Sequence, residues 1–504
     1  MAHPDQYLIA CNKRERKPKM KYPQTNVTTI TGPYYRAMSD DQCRILHCAS
    51  LEVLERTGVF VNHQPALDLL KKAGCLVQDN HVRFPTHLVE WALRTAPSRI
   101  MLYNRNGEPV MPLGDRISTY GTGSDCLHIL DHRTGERRKA VFQDVVDGIR
   151  VADAMPNVDF IMSMFLPGDV PVAADVRQME VMLTYSAKPI SFVTYEWEGT
   201  AEIIEMAEVA MGGADILRIN PSVICYLNPT SSFVHNEAAL RKLVRCAEKR
   251  LPFVYLPDLL RGMTGPMTRE GAMACHNAGV LVGLVISQLV NEGAPIIISS
   301  ARPSHLDMKT MVAPYATGPG GFGGIGINHY YNLPVFSTGG ASDSKLLDEQ
   351  AIFEGTLTLY GSTLAGGNMI HDMGYMESGL MGSLELVVIQ DEIVSVIKAG
   401  STKGLEFNEE TLALDLVHKH ALSADFLGTK HTVRHVREGW QPRLVNRQNY
   451  EGWMASGGTS MRERARAKIE EILAEEPRHV LPADVEKRIK AIAQKAVATQ
   501  AQQK

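Results

Sequence analysis

Residues 223–258 read VICYLNPTSSFVHNEAALRKLVRCAEKRLPFVYLPD. Two short runs rich in β-branched and aromatic residues, 223–227 and 253–256, stand at its ends, and 236–250 between them carries apolar residues at helical spacing. A strand, a helix and a second strand in that order make the two strands parallel, with the helix as a right-handed crossover. The alternation continues in both directions. Runs 117–121, 158–165, 189–195, 295–300, 334–338 and 368–371 also read as strands, and helical patterns fall at 142–154, 174–186, 200–211, 269–291, 345–364 and 383–399.

Eight strand-helix units over 117–403 predict an α/β fold, a closed (β/α)8 TIM barrel. The sixth connection, 301–333, is the exception, because its middle reads GPGGFGGIG over 318–326 and is expected to be a loop. An open doubly wound sheet would need a phosphate-binding glycine turn after its first strand, and Gly121-Thr-Gly-Ser124 fits that pattern poorly.

Outside the barrel, 1–37 reads as a mobile polar arm with the charged run Lys13-Arg-Glu-Arg-Lys17, and 38–116 as an N-terminal helical cap. Ser39-Asp-Asp-Gln42 has the form of a capping box, Gly58 stops the helix that follows, and Pro65 and Pro85 open two shorter helices. Residues 404–504 read as a C-terminal helical extension with segments at 409–422, 460–475 and 483–499. The last is lysine- and alanine-rich with little apolar face, so its end is expected to fray.

The formal charge of −4 among 504 residues lacks the basic excess of a general nucleic-acid or anionic-membrane binder. Residues 1–24 lack a secretory apolar stretch, and no 18-residue apolar run is evident, so a cytoplasmic protein is expected. The eight cysteines include no CxxC pair and are expected to be reduced thiols rather than a zinc site.

In a barrel, chemistry gathers where strands end. Those positions supply Tyr120 and Asp125, Tyr195 and Glu196, Tyr226 and Asn228, Tyr255 and Asp258, Arg302 and His305, Gly339 and Gly340, and finally His371, Asp372 and Tyr375, with Phe322 close by. Recurrent tyrosines suit a quaternary ammonium, which the electron-rich ring faces attract. The alternative is that each ring packs beneath a helix. Small residues such as Gly339 and Gly340 would let a bulky planar group approach. A metal site from His305, His371, Asp372 and Glu196 lacks ligand spacing, and Ser337 lacks a nucleophile-elbow sequence.

Several strings resemble the trimethylamine methyltransferase family, in particular its members without pyrrolysine that act on glycine betaine and other quaternary amines. They are Leu51-Glu-Val-Leu-Glu-Arg-Thr-Gly-Val59, Met263-Thr-Gly-Pro-Met-Thr268, Gly283-Leu-Val-Ile-Ser-Gln-Leu289, Ala341-Ser-Asp-Ser-Lys345, Asp348-Glu-Gln-Ala351, Trp440-Gln-Pro442 and Gly457-Gly458. The resemblance covers about residues 38–475. It implies a barrel that passes a methyl group to the cob(I)alamin of a separate corrinoid protein. No pyrrolysine is present, and the region comparable to the pyrrolysine strand is Ser337-Thr-Gly-Gly-Ala341.

A corrinoid-binding module of its own is not expected, because Asp79-Asn-His81 is followed by Phe84 where that motif needs glycine. Expected site roles are Tyr120, Tyr195, Tyr226, Asn228, Tyr255, Arg302, Phe322 and Tyr375 around the substrate, with Glu196 and His371 as catalytic charges. Gly339 and Gly340 would face the corrinoid. Competing readings are another donor (proline betaine, carnitine or a tertiary methylamine) or a catalytically silent betaine-binding protein. A homo-oligomer is expected.

Overall fold

The computed structural model describes residues 34–195, 197–300, 304–316, 322–401 and 407–503. Seven barrel strands form one all-parallel sheet. We number them β1 (Thr119–Thr122), β3 (Ile190–Phe192), β4 (Val223–Leu227), β5 (Phe253–Tyr255), β6 (Ile296–Ser299), β7 (Val335–Thr338) and β8 (Met369–Met373). β1 pairs with β8, which places the first strand beside the last. The gap between β1 and β3 is filled by segment 160–165, called β2, through single parallel bridges Gly121↔Phe160 and Ile161↔Ile190. The ring is thereby closed, and the fold is a (β/α)8 barrel.

Each strand is followed by a helix: α4 (Phe142–Ala154), α5 (Ala174–Tyr185), α6 (Trp197–Met211), α7 (Glu237–Lys249), α8 (Arg269–Val290), α9 (Phe322–Tyr330), α10 (Glu349–Leu364) and α11 (Leu384–Ser401). α8 is long and apolar enough to cross a membrane by composition, contrary to the expectation that no such run exists, but 89% of its apolar window is buried in this protein. It is a core helix. Gly283 on α8 lets it lie against β5, because a Cβ there would come within 2.3 Å of the Tyr255 ring.

The sixth connection differs from the expected loop. Gly323, Gly324 and Gly326 belong to α9, and residues 317–321 lie outside the described residues. A Cβ on Gly326 would meet the Met38 side chain at 3.0 Å. The small residue serves close packing of α9 against the N-terminal segment rather than loop freedom.

Before the barrel come α1 (Asp40–Glu52), α2 (Gln64–Lys72) and α3 (Thr86–Thr95). The Ser39–Gln42 capping box forms as the sequence suggests. The hairpin Ile100–Tyr103 with Pro109–Leu113 was not foreseen. Its Ile100, Leu102, Met111 and Leu113 join Phe160, Ile224, Val254, Ile297, Phe336 and Met369 in one cluster, so the hairpin plugs the barrel interior. Each fully buried aliphatic side chain of that plug contributes roughly 1.5–3 kcal/mol of transfer free energy.

In the extension, α12 (Met461–Ala474) packs on α4 and α11, and α13 (Ala483–Gln503) on α5 and α6. The expected fraying of the last helix is not seen. Ile489, Ala493 and Ala496 form a buried stripe, and Gln500 accepts a hydrogen bond from the Ala173 amide at 2.9 Å. Alanine supplied the apolar face that looked missing.

Candidate active site

Side chains alternate along a strand, so only every second residue faces the barrel axis. On β4 these are Ile224 and Tyr226, which meet inward residues of the other strands. The Tyr226 ring lies 5.4 Å from that of Phe336 and 6.2 Å from that of His371, and Phe336 and His371 are 4.2 Å apart. Phe336 belongs to the plug cluster, and the Tyr226 and His371 rings stand on it.

Three carboxyl groups act on the Tyr226 hydroxyl through space. Burial, then Asp372, Asp258 and Asp125, push its pKa well above the ordinary range, opposed by a hydrogen bond with the Asn228 side chain. Asp372 is fully buried, and its Oδ1 is 3.0 Å from His371 Nε2. His371 Nδ1 is 3.2 Å from the Ser337 carbonyl oxygen. Both ring nitrogens therefore face acceptors.

Asp125 sits at a left-handed backbone position, φ 62°, in the loop after β1. The Tyr195 hydroxyl donates to its Oδ1 at 2.8 Å, and Gln178 Nε2 and Ser163 Oγ lie at 3.4 Å. Burial raises the Asp125 pKa, and these donors partly offset the rise. Tyr375 lies flat against Gly123, where a Cβ would come within 2.0 Å of the ring. Its hydroxyl donates to the Ser124 carbonyl, and its ring meets Tyr315 edge-on, 6.1 Å between centres.

A small cavity of about 110 Å³ opens here, lined by Leu256, Asp258, His276, Ser300, Tyr315 and Phe336 among others. His276 reaches it from α8. Burial lowers its pKa to about 4, and its Nε2 lies 3.0 Å from Ser299 Oγ. A larger hollow of about 590 Å³ lies on the far side of Tyr195, lined mostly by Leu127, Leu166, Pro167, Val170 and Val172. Asp258 and the Tyr315 and Phe336 rings in its lining mark the smaller cavity as the chemical one.

The structure brings together Tyr226, His371, Tyr375 and, through Asp125, Tyr195; Asn228 is exposed at the rim. Two expected cage residues point the other way. Tyr120 is buried between barrel and helices, its hydroxyl 2.7 Å from Thr363 Oγ1 of α10 and its ring 5.1 Å from Lys398 Nζ of α11. Tyr255 packs on α8, its hydroxyl 2.6 Å from His235 Nδ1. Both rings serve the outer layer.

Gly339 and Gly340 also depart from expectation. Both are buried. Their amides donate to the His371 carbonyl and Thr358 Oγ1, and Gly340 needs its φ of 101°. They lock the β7–α10 turn against β8 and offer no surface to a planar group. Glu196, Arg302 and the Phe322 side chain lie outside the described residues. His305 sits beside Arg261, 3.1 Å from its Nη2.

Sequence reasoning missed Phe336, Tyr315, Gln178 and His276. His276 had a signal, as a polar residue inside an otherwise apolar helical run. Among the described residues no group of three His, Cys, Asp or Glu side chains is placed to hold a metal ion. The pocket is partly enclosed and combines the Tyr315 and Phe336 rings with one carboxyl group, Asp258, which suits a small cation.

The family model described as trimethylamine methyltransferase (MTTB) matches residues 10–500. A trimethylamine methyltransferase MttB of Desulfitobacterium hafniense is 31% identical over 475 residues, covering 93% of this chain and 95% of its own. An MttB1 of Methanosarcina mazei is 28% identical, covering 93% and 96%. A glycine betaine methyltransferase of Desulfitobacterium hafniense is also 28% identical, covering 91% and 96%.

Proposed function

Because the chain belongs to the trimethylamine methyltransferase family, and is thus a methyltransferase, we propose that it moves a methyl group from a quaternary amine to the cob(I)alamin of a separate corrinoid protein. Glycine betaine or a related betaine is the donor we favour. The observation that carries this reading is the set of rings at the cavity, Phe336 and Tyr315 in its lining with Tyr226 and Tyr375 against them, together with the Asp258 carboxyl in that lining. Carboxylates and ring faces both stabilise a fixed positive charge.

The chemistry needs little else. The cobalt electron pair forms the new Co–C bond while the N–C pair stays on nitrogen, and the leaving group departs as a neutral tertiary amine. No proton has to be delivered. The protein aligns the N–CH3 axis, excludes water and holds the cation. Alignment of this kind lowers barriers by roughly 7–11 kcal/mol. We assign Arg302 and His371 to a betaine carboxylate and Glu196 to charge balance, Arg302 and Glu196 from their places in the sequence alone.

Mixing the protein with cob(I)alamin and a panel of quaternary and tertiary amines tests this by the absorbance change to methylcobalamin. We expect turnover with a betaine and none with trimethylamine. Turnover only with tertiary amines reverses the substrate assignment. Binding of betaine with no methyl transfer identifies a silent binding protein.

A further inference from the structure

β8 departs from the regular pleat of its neighbours. Its register with β1 passes from Ile370↔Tyr120 to Met373↔Thr122, three steps against two, so β8 carries one extra residue. On a regular strand Asp372 would face away from His371, and Met373 would return to the side of His371. Instead Met373 joins the outer core together with Ile370, while Met369 belongs to the inner plug. The Asp372 carboxyl lies 3.0 Å from His371 Nε2, and its charge reaches the Tyr226 hydroxyl. Two consecutive side chains thus serve one side of the barrel wall.

The backbone is strained to allow this. Asp372 has φ 92°, a value that a residue with a side chain rarely adopts, and Gly374 has the same φ. Such a conformation persists only where its surroundings fix it. On one side the Gly339 amide donates to the His371 carbonyl. On the other stands Gln390 of α11, which is fully buried. Its Oε1 accepts from the Gly374 amide at 2.8 Å, and its Nε2 donates to the Gly340 carbonyl at 2.5 Å. Gly355 of α10 leaves room for this amide, because a Cβ there would come within 2.6 Å of Nε2.

We propose that Gln390 is a positioning residue of this site: its side-chain amide ties the β8 bulge to the β7–α10 turn and so keeps the Asp372 carboxyl beside His371. A bulge re-aims a side chain that a regular strand would send the other way. A primary amide offers one donor and one acceptor, which is what a carbonyl and an N–H facing each other across a buried gap require. Leucine fills a similar volume and satisfies neither. Gln390 acts through β8 and touches no substrate. Its effect on binding rests on the quaternary-amine reading of the pocket, whereas its effect on the backbone does not.

Gln390→Glu gives the sharpest test. A protonated carboxyl still donates to the Gly340 carbonyl and accepts from the Gly374 amide, whereas a carboxylate sets lone pairs against that carbonyl. Burial raises a carboxyl pKa, so the change should fall between about pH 6 and about pH 9. Calorimetric titration of glycine betaine on the full chain should give parent-like affinity at the low end. At the high end binding should be on the order of tenfold weaker than the parent's at the same pH, the scale of one unsatisfied buried group. Gly355→Ala crowds the amide while favouring the helix, and should weaken binding at every pH.

In a crystal structure of Gln390→Leu, Asp372 should relax to a negative φ and its carboxyl should leave His371. If that variant does not fold, Gln390→Glu crystallised at about pH 9 supplies the same comparison. Asp372 unmoved in that structure, or a Gln390→Glu affinity that follows the parent's at every pH, overturns the proposal. A parent protein that binds no betaine refutes the reading of the pocket alone, and the position of Asp372 in the variant still decides the role of Gln390.

Discussion

Tyr226 and Tyr255 are one register step apart on neighbouring strands: Tyr226 stands opposite Val254, and Tyr255 opposite Leu227. That single step sends them to opposite sides of the wall. Tyr226 faces the axis, where its ring meets Phe336 and His371 and its hydroxyl feels the charges of three aspartates. Tyr255 faces α8, closes on Gly283 and bonds His235. The residues are chemically identical, and only Tyr226 faces the barrel interior. Strand phase, rather than residue type, assigns function to a barrel tyrosine.

The largest effect should come from the structural partner. Tyr255→Ala should cost about 3–5 kcal/mol of stability in denaturant titration, as expected for a buried aromatic, with an unchanged KM in the fraction that folds. A raised KM at full stability would break the contrast. Asp372→Asn should raise the KM for a quaternary amine on the order of 100-fold, because the buried carboxyl acts on the bound cation, while the thermal midpoint stays near that of the parent. An unchanged KM would remove the buried carboxyl from the site. Tyr226→Leu should raise the KM for a quaternary amine roughly 10- to 30-fold, equivalent to about 1.4–2 kcal/mol of cation–ring attraction, whereas Tyr226→Phe should keep most of it.

The smallest effect, per pH unit, concerns the histidines behind the two tyrosines. Burial lowers His235 to about 3 and His276 to about 4. The folded chain then binds fewer protons than the unfolded one between those values and 6.5. Their contribution is complete above pH 6.5 and is lost as pH falls, at up to about 1.4 kcal/mol per unit for each. The raised carboxyls of Asp125 and Asp391 work in the opposite sense. The informative quantity is therefore the difference in acid slope between the parent and His276→Gln. Parallel slopes would mean that His276 is not held neutral.

The strands and most helices were legible because a parallel barrel alternates short β-branched runs with amphipathic helices. The site was only half legible. Barrel strands are buried on both faces, so hydrophobic periodicity cannot tell inside from outside. One clue was available. Gly121 makes room for the inward Phe160 ring, which puts the adjacent Tyr120 on the outer side. The α9 glycines misled for a related reason, since a glycine that permits close packing reads the same as one that permits a turn. Phe336 and Tyr315 escaped because nothing in the sequence marks a ring as inward-facing.

The central claim is that the pocket binds a fixed positive charge. Calorimetric titration of glycine betaine against its uncharged-head isostere 3,3-dimethylbutanoate, which swaps nitrogen for carbon and keeps the shape, tests it most directly. The account predicts that the cation binds at least tenfold tighter and that Tyr226→Leu erases much of the difference. Equal affinities for the two would contradict it.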